Sequence, residues 1–592
     1  MRNRSEIDAS MKWDLTPIYP DAAAMETDLA DCGAMAEKIA ACAGTLSTKE
    51  GLAAALGLTF GAMEKLERAS CYAYLNYSLD GGNTAAQEMM AKTQNAGVTL
   101  MTAMSFMEPE MLTVPEEELK AWLDDPALAT YRHYVLDVIR AKAHTLDAKG
   151  EAILSQVAKI TGTASDTYDM FTDVEMEIPK IENENGEMVE LTSGNFGMYR
   201  ESSCRKVREN AFNTMFGTYK KYNNTFATLY AGNVKKDNML AAIRGYDSAC
   251  EAALFAGNVP VSVYDSLVGG VHEALPVMQK YLELRKKVLN LPELDVFDLY
   301  CPMTADVEYP MPFASGKELV KKALAPLGEE YAALLDRAFS ENWIDVYETP
   351  GKASGAYSMG IYGAHPYVLL NYTDTLDDAF TLAHELGHSM HSHYSNTTQD
   401  YVNHDYKIMV AEVASTVNEV LLTKYLLATE TDPARRAYVL NHFLEGFRTT
   451  VFRQTLFAEF ERKAHELEQS GTPLTADCLN GIYAELEKTY YSAAKMQDVV
   501  SVEWSYIPHF YRAFYVYQYA TGFSSAVAIA SHILETGDTA GYLRFLTTGG
   551  SDYPLNELRI AGIDLTSPTV VENAMQVFAE TIDELAAVLV KE

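Results

Sequence analysis

Apolar residues recur at helical spacing along most of this chain. Between 22 and 110, runs of Ala, Leu, Met, Glu and Lys repeat with the period of a helix face and break near Gly44, Gly51 and Gly81-Gly82, which predicts antiparallel helices. A further helical pair is expected over 116–163, interrupted at Asp124-Asp-Pro126. The clearest strand signal is 173–191: Val174, Met176 and Ile178 alternate with polar residues, Asn183-Glu-Asn185-Gly186 turns the chain, and Met188, Val189 and Leu191 return. This predicts a β-hairpin closing an N-terminal helical region (1–195), with the rest of the chain (196–592) as a second domain.

Helical patterning resumes after Ser202-Ser203 to Ala256. Its intermittent basic face (Arg205, Lys206, Arg208, Lys220, Lys221, Lys235, Lys236) is expected to form internal ion pairs. Residues 260–345 continue as helix apart from a proline-punctuated piece at 307–312. The stretch 351–372 is different: it is rich in Gly and Tyr and ends in a β-like run at 367–371. A short sheet there, with an edge strand able to pair an extended peptide, is one expectation; an ordinary strand and turn bracing the next helix is the other.

That next helix carries Thr381-Leu-Ala-His384-Glu385-Leu-Gly-His388-Ser-Met-His391. Two histidines four apart on a helix are rotated by about 40° and separated by roughly 6 Å, so both rings reach one ion. Glu385, one step round, stands beside such an ion, where a carboxylate takes the proton of an activated water. Asp374, Asp377 and Asp378 are expected in the first turns, at the positive end of the helix dipole. Val271-His272-Glu273 begins in the same way but has Pro276 where the second histidine would stand, and reads as ordinary polar residues.

A catalytic zinc needs a third protein ligand and an open position. His391, His393, His404, Glu412 and Glu419 are the candidates. His391 lies roughly 10 Å along the axis from His384, too far for one ion, and is read as lining the groove or supporting the ligands. Glu412 is better placed, in the apolar-periodic run Ile408-Met-Val-Ala-Glu412-Val-Ala-Ser-Thr-Val-Asn-Glu419, where a buried carboxylate needs a cation. Glu419 is suited to accept a hydrogen bond from a ligand histidine. Downstream, Pro508-His509-Phe-Tyr511-Arg-Ala-Phe-Tyr515-Val-Tyr517-Gln-Tyr519 supplies core aromatics, and one or two of its O–H or N–H groups are candidates to hold a developing oxyanion.

Composition narrows the classes. The chain has 592 residues, 48% of them hydrophobic and 22% charged, as in a soluble globular protein of several domains. Met1-Arg-Asn-Arg-Ser-Glu-Ile-Asp contains no apolar run and no stretch has the length of a membrane span, so a cytoplasmic protein without membrane contact is expected. Its 7 cysteines, never spaced C-x-x-C, argue against disulfides and thiolate zinc sites. The 47 basic and 82 acidic residues give a net charge of -35, which disfavours nucleic acid and anionic lipid as partners. The acid either keeps the surface soluble or lines a cleft that attracts cationic ligands.

The chain resembles the thimet-like (M3) zinc oligopeptidases, most closely the bacterial oligoendopeptidase F group. The resemblance rests on the 381–391 motif, Ser354-Gly-Ala-Tyr-Ser-Met-Gly360, Tyr362-Gly363-Ala-His-Pro-Tyr, Phe452-Arg-Gln-Thr-Leu-Phe-Ala-Glu-Phe-Glu461, the Pro508-His-Phe-Tyr run, Gly562-Ile-Asp-Leu-Thr-Ser-Pro568 and Trp13-Asp-Leu. It implies a mainly α, two-lobed zincin-type metallopeptidase with a deep central channel that admits oligopeptides and excludes folded proteins. One zinc per chain on His384, His388 and Glu412 is implied, with Glu385 as base and Glu419 as the acidic residue after the third ligand; the donor set also accepts cobalt or manganese. His509, then Tyr515 and Tyr519, are the expected oxyanion donors, and Gly360, Tyr362, Gly363, Tyr511 and Tyr517 the expected peptide-binding positions. The function implied is hydrolysis of internal bonds in short unstructured peptides; the alternatives are a helical zinc carboxypeptidase and a catalytically silent peptide-binding protein.

Overall fold

The computed structural model describes residues 2–304 and 307–590. They are mainly helical, and the strands make one two-stranded and one three-stranded sheet. The chain divides into two compact units, each assembled from three separate segments: Met1–Thr145, Tyr309–Tyr425 and Ile529–Ile563 in the first, and Leu146–Glu308, Leu426–Ala528 and Asp564–Glu592 in the second. The first cut therefore falls earlier than the expected boundary at 195/196.

In the first unit the three long helices Ala22–Ala40, Lys49–Leu79 and Thr84–Met104 start at side-chain caps on Asp21, Thr48 and Asn83, each accepting a backbone N–H that the first turn leaves free. Gly44 takes φ 85° in the connection between the first two, whereas Gly51 lies inside the first turn of the second and breaks nothing. The expected pair over 116–163 is instead four helices, Glu116–Trp122, Pro126–Ala129 and Arg132–Ala141 in the first unit and Ala148–Thr161 in the second. Leu52, Leu56, Leu100, Met111 and Leu128 form part of the buried core of the first-unit helices.

The three-stranded sheet is also in the first unit. Call the hairpin strands β1 (Ile181–Glu182) and β2 (Met188–Val189), and those of this sheet β3 (Ile344–Asp345), β4 (Tyr357–Met359) and β5 (Tyr367–Leu369). The order is β3-β5-β4, with β5 parallel to β3 and antiparallel to β4 (Ser358 opposite Val368). Thus β5, just before the motif helix, is the fully buried centre and β4 is an edge. Trp13 packs edge-on against Tyr367, whose hydroxyl donates to the Asp14 carbonyl at 2.8 Å, so the Trp13-Asp-Leu segment covers β5.

In the second unit the hairpin exists but is shorter and later than its pattern predicts. Phe171–Glu175 forms a π-helical turn and only β1 and β2 pair, Ile181 with Val189 and Glu182 with Met188. Phe171 packs on Tyr222 and Phe226, which carries the helix past the first of the alternating residues and leaves Val174 71% exposed. The basic face is largely paired: Arg205 reaches Asp295 and Asp298, Arg208 reaches the buried Asp298 at 2.7 Å, Lys206 reaches Glu182 and Lys236 reaches Asp237. His272 bonds Glu459 at 2.7 Å, an ordinary polar contact. Among the described residues no helix is long and apolar enough to cross a membrane.

Candidate metal centre and catalytic groups

The motif helix spans Leu376–Thr398. It starts at a capping box in which the Thr375 side chain accepts the Asp378 N–H while the Asp378 carboxylate accepts the N–H of Thr375, at 2.9 Å, and of Thr373. Asp377 and Asp378 are in the first turn; Asp374 precedes it, at φ 65°.

The helix Ile408–Thr429 crosses it at Gly387. A Cβ on Gly387 would lie 2.5 Å from the Ser415 Cα and 2.6 Å from the Ala414 carbonyl oxygen, so only glycine allows the two backbones this close. Buried Asn418 ties them again, donating to the Ala383 carbonyl at 3.0 Å and accepting from Tyr331. Glu412 and Glu419, seven apart and so on one face, flank that crossing and meet the two histidines.

Three donor atoms converge. The Nε2 atoms of His384 and His388 are 3.2 Å apart, and the Glu412 Oε2 is 3.7 Å from the first and 4.0 Å from the second. Metal bonds of about 2.0–2.2 Å place tetrahedral donors roughly 3.3–3.6 Å apart, so the spacing fits one small cation. His384 donates Nδ1–H to Glu419, which leaves its Nε2 lone pair for a metal, and His388 is hydrogen-bonded to the Ala411 backbone. His384, His388, Glu412 and Glu419 are half-buried.

Glu385 is buried, 7% exposed, and accepts the backbone N–H of Ser358 in edge strand β4. Burial pushes its carboxyl up to about 7, against the pull of His384 and with the push of Glu412 and Glu419. Burial lowers His384, but the hydrogen bond and charge of Glu419, with Glu385 and Glu412, carry it up to about 9. Burial and the neighbouring His384 hold His388 well below its ordinary value, and burial raises Glu412. Three carboxylates around two imidazoles leave a negative surplus that a divalent ion balances.

Strand β4 is fastened to the motif helix one residue from His388. The Ser358 and Ser389 hydroxyls are 2.8 Å apart, and Gly360 lies so close that a Cβ there would stand 2.6 Å from Ser392. Ser358 escapes a reading of the sequence because it works through its backbone N–H. His391 is corrected: its ring is fully buried and stacked on Tyr406 at 3.7 Å, and so lines no groove. Tyr362 donates to the Gln399 carbonyl and packs on Tyr401 and His404, and Gly363 takes φ 79° beside Arg68.

In the second unit His509, Tyr515 and Tyr519 cluster, with ring centroids 6.3 Å (509–515), 6.2 Å (509–519) and 5.5 Å (515–519) apart. All three are half-buried, and burial, then Arg512, lowers His509 below its ordinary value. Tyr511 packs on Tyr168 and Tyr230. Tyr517 is corrected as well: it is 4% exposed and packed on Tyr264, a core position of its unit.

The family model described as "Peptidase family M3" matches residues 198–577, and the one described as "Oligopeptidase F" matches 110–178. The chain belongs to peptidase family M3. Within that family it is 41% identical to "Oligopeptidase PepF" of Bacillus subtilis, over 100% of this chain and 89% of the relative, and 38% identical to an "Oligoendopeptidase F homolog" of Lactococcus lactis, over 100% and 99%. Among solved structures it is similar to a putative peptidase from Chlamydophila abortus (TM-score 0.92, 33% identity, 99% of this chain and 100% of that one) and to oligoendopeptidase-F from Enterococcus faecium (TM-score 0.76, 36% identity, 95% and 98%). This M3 peptidase is a metalloendopeptidase of the oligoendopeptidase F group, as the resemblance implies, and that reading is favoured over the carboxypeptidase and the silent binder.

Proposed function

We propose that the protein is a zinc oligoendopeptidase with one zinc per chain on His384, His388 and Glu412, hydrolysing internal bonds of short unstructured peptides. The observation that carries this is the convergence of two imidazole Nε2 atoms and one carboxylate oxygen within 4.8 Å, with a buried glutamate next along the helix. Bound there, zinc lowers the pKa of a water and polarises a carbonyl. Glu385 takes the proton of the attacking water and returns it to the departing amine. The Ser358 N–H fixes its carboxylate, and Glu419 fixes the His384 tautomer. We assign to His509, Tyr515 and Tyr519 the donation of N–H or O–H to the carbonyl oxygen as it gains negative charge. We further assign to β4, an edge strand, main-chain pairing with an extended peptide, next to Gly360 and the Tyr362-Gly363 turn.

Glu385→Gln tests the central role. It preserves shape and the Ser358 hydrogen bond and removes the base, so kcat should fall by about 10²–10⁴ with bound zinc unchanged. Near-normal turnover in that variant would exclude Glu385 as the base.

A further inference from the structure

The motif 452–461 and the 508–515 loop are parts of one device. The helix Arg453–Gln469 presents Phe457, Glu461 and His465 at four-residue spacing, which places them on one face. That face grips the loop at two points. At the first, Phe510 packs on Phe457 (5.5 Å), Phe460 (5.1 Å) and Tyr230 (5.7 Å), and its carbonyl accepts from Asn233.

At the second, Phe514 takes φ 52°, a left-handed conformation that is costly for a residue with a Cβ. Its buried N–H donates to the Glu461 Oε1 at 2.8 Å, and its ring packs between Tyr264 and His465, 5.9 and 4.8 Å away. Glu461 is 1% exposed, and its Oε2 has no hydrogen-bond partner. Burial holds this carboxyl well above the ordinary range, and the neutral acid still accepts through its carbonyl oxygen. His509 precedes the first grip by one residue and Tyr515 follows the second by one.

We propose that Glu461 is a positioning residue: by accepting the Phe514 N–H it locks the 508–515 loop in the strained conformation that holds the His509 and Tyr515 rings together. The proposal rests on the oxyanion role assigned to those two side chains above. A left-handed phenylalanine persists only where its surroundings hold it. Without an acceptor its buried N–H is unsatisfied and the segment relaxes. Because the strain is taken up at 514, the adjacent 515 is the residue it aims.

The test is a double-mutant cycle read as separate kcat and KM on an end-blocked peptide, with thermal melts and zinc content as controls. Glu461→Leu should lower kcat roughly tenfold, leave KM within about twofold and leave zinc content unchanged; Glu461→Gln, which keeps an acceptor for the Phe514 N–H, should restore kcat. Combined with Tyr515→Phe, the Leu substitution should add little, because an unaimed ring has already lost its function. If Tyr515→Phe lowers kcat but Glu461→Leu does not, or if the two losses multiply, the positioning role is wrong while the oxyanion role stands. Wild-type kcat in both Tyr515→Phe and His509→Asn would overturn the oxyanion role, and the positioning role with it. Should Glu461→Leu fail to fold, the Gln variant decides: kcat reduced as far as in Tyr515→Phe, with an unchanged melt, contradicts the proposal.

Discussion

Glu385 and Glu419 are both glutamates beside the histidine pair, and their surroundings give them different work. Glu385 is buried, held by a backbone N–H and pushed towards neutrality, which suits a group that takes a proton and gives it back. Glu419 is half-buried and bonded to His384 Nδ1, a contact that leaves the His384 Nε2 facing His388 and Glu412. Glu419→Ala should therefore weaken zinc binding by about 10–100-fold while leaving the fold intact, measured by competition with a chelator. Wild-type affinity would mean that the His384 contact is incidental. Much of this geometry is legible in the sequence: two of the converging donors are local, four residues apart on one helix, and Glu412 stands out because it is a carboxylate in an apolar run. His391 was not legible, since the same spacing that places it near the histidine face says nothing about Tyr406 covering it.

At the scale of elements, the site depends on how closely two helices approach. The glycine in His384-Glu-Leu-Gly-His388 is where the motif helix touches the backbone of Ser415, and that contact brings Glu412 within 4.0 Å of both Nε2 atoms. Gly387→Ala would place a Cβ against backbone atoms that cannot rotate away, so the helices must separate. Overpacking of this kind costs about 1–3 kcal/mol, and because Glu412 moves with its helix, zinc affinity should fall together with the melting temperature. An alanine variant with unchanged melt and unchanged zinc content would contradict the crossing as the origin of the triad. The 173–191 hairpin shows where pattern reading stops. Alternation at Val174, Met176 and Ile178 is compatible with a strand, but the preceding helix runs on through a π turn because Phe171 has Tyr222 and Phe226 to pack on, a contact no local pattern reports. The edge strand β4 is hard to read for a related reason: it is three residues long and its key group is a backbone N–H.

At the scale of the whole molecule, helical content follows from periodicity, whereas the assembly of each unit from three distant segments does not, because contacts between far-apart stretches leave no local trace. The chain carries a net charge of -35, yet the second unit buries cations as well as anions. Glu445 bonds Arg285 and Tyr281 through one oxygen and Arg448, at 2.6 Å, through the other. Burial alone would raise this carboxyl, but the two guanidiniums hold it down at about 2. A carboxyl depressed on folding stabilises the protein above its unfolded value, near 4.5, and loses that contribution as pH falls towards 2. Glu445→Gln should cost about 3–5 kcal/mol at pH 7, because two buried arginines lose their anion, and should flatten the acid limb of stability between about pH 4.5 and 2. Urea unfolding across that range measures both, and a variant as stable as the parent at pH 7 would refute the account of this network.

The most direct measurement is a product map by mass spectrometry on a library of short peptides blocked at both ends, run with the protein as purified, after chelation, and after zinc is returned. Internal cuts that vanish with the chelator and reappear with zinc are the predicted result. No cleavage under any metal, or cuts that persist in the chelated protein, would contradict a zinc endopeptidase built on His384, His388 and Glu412.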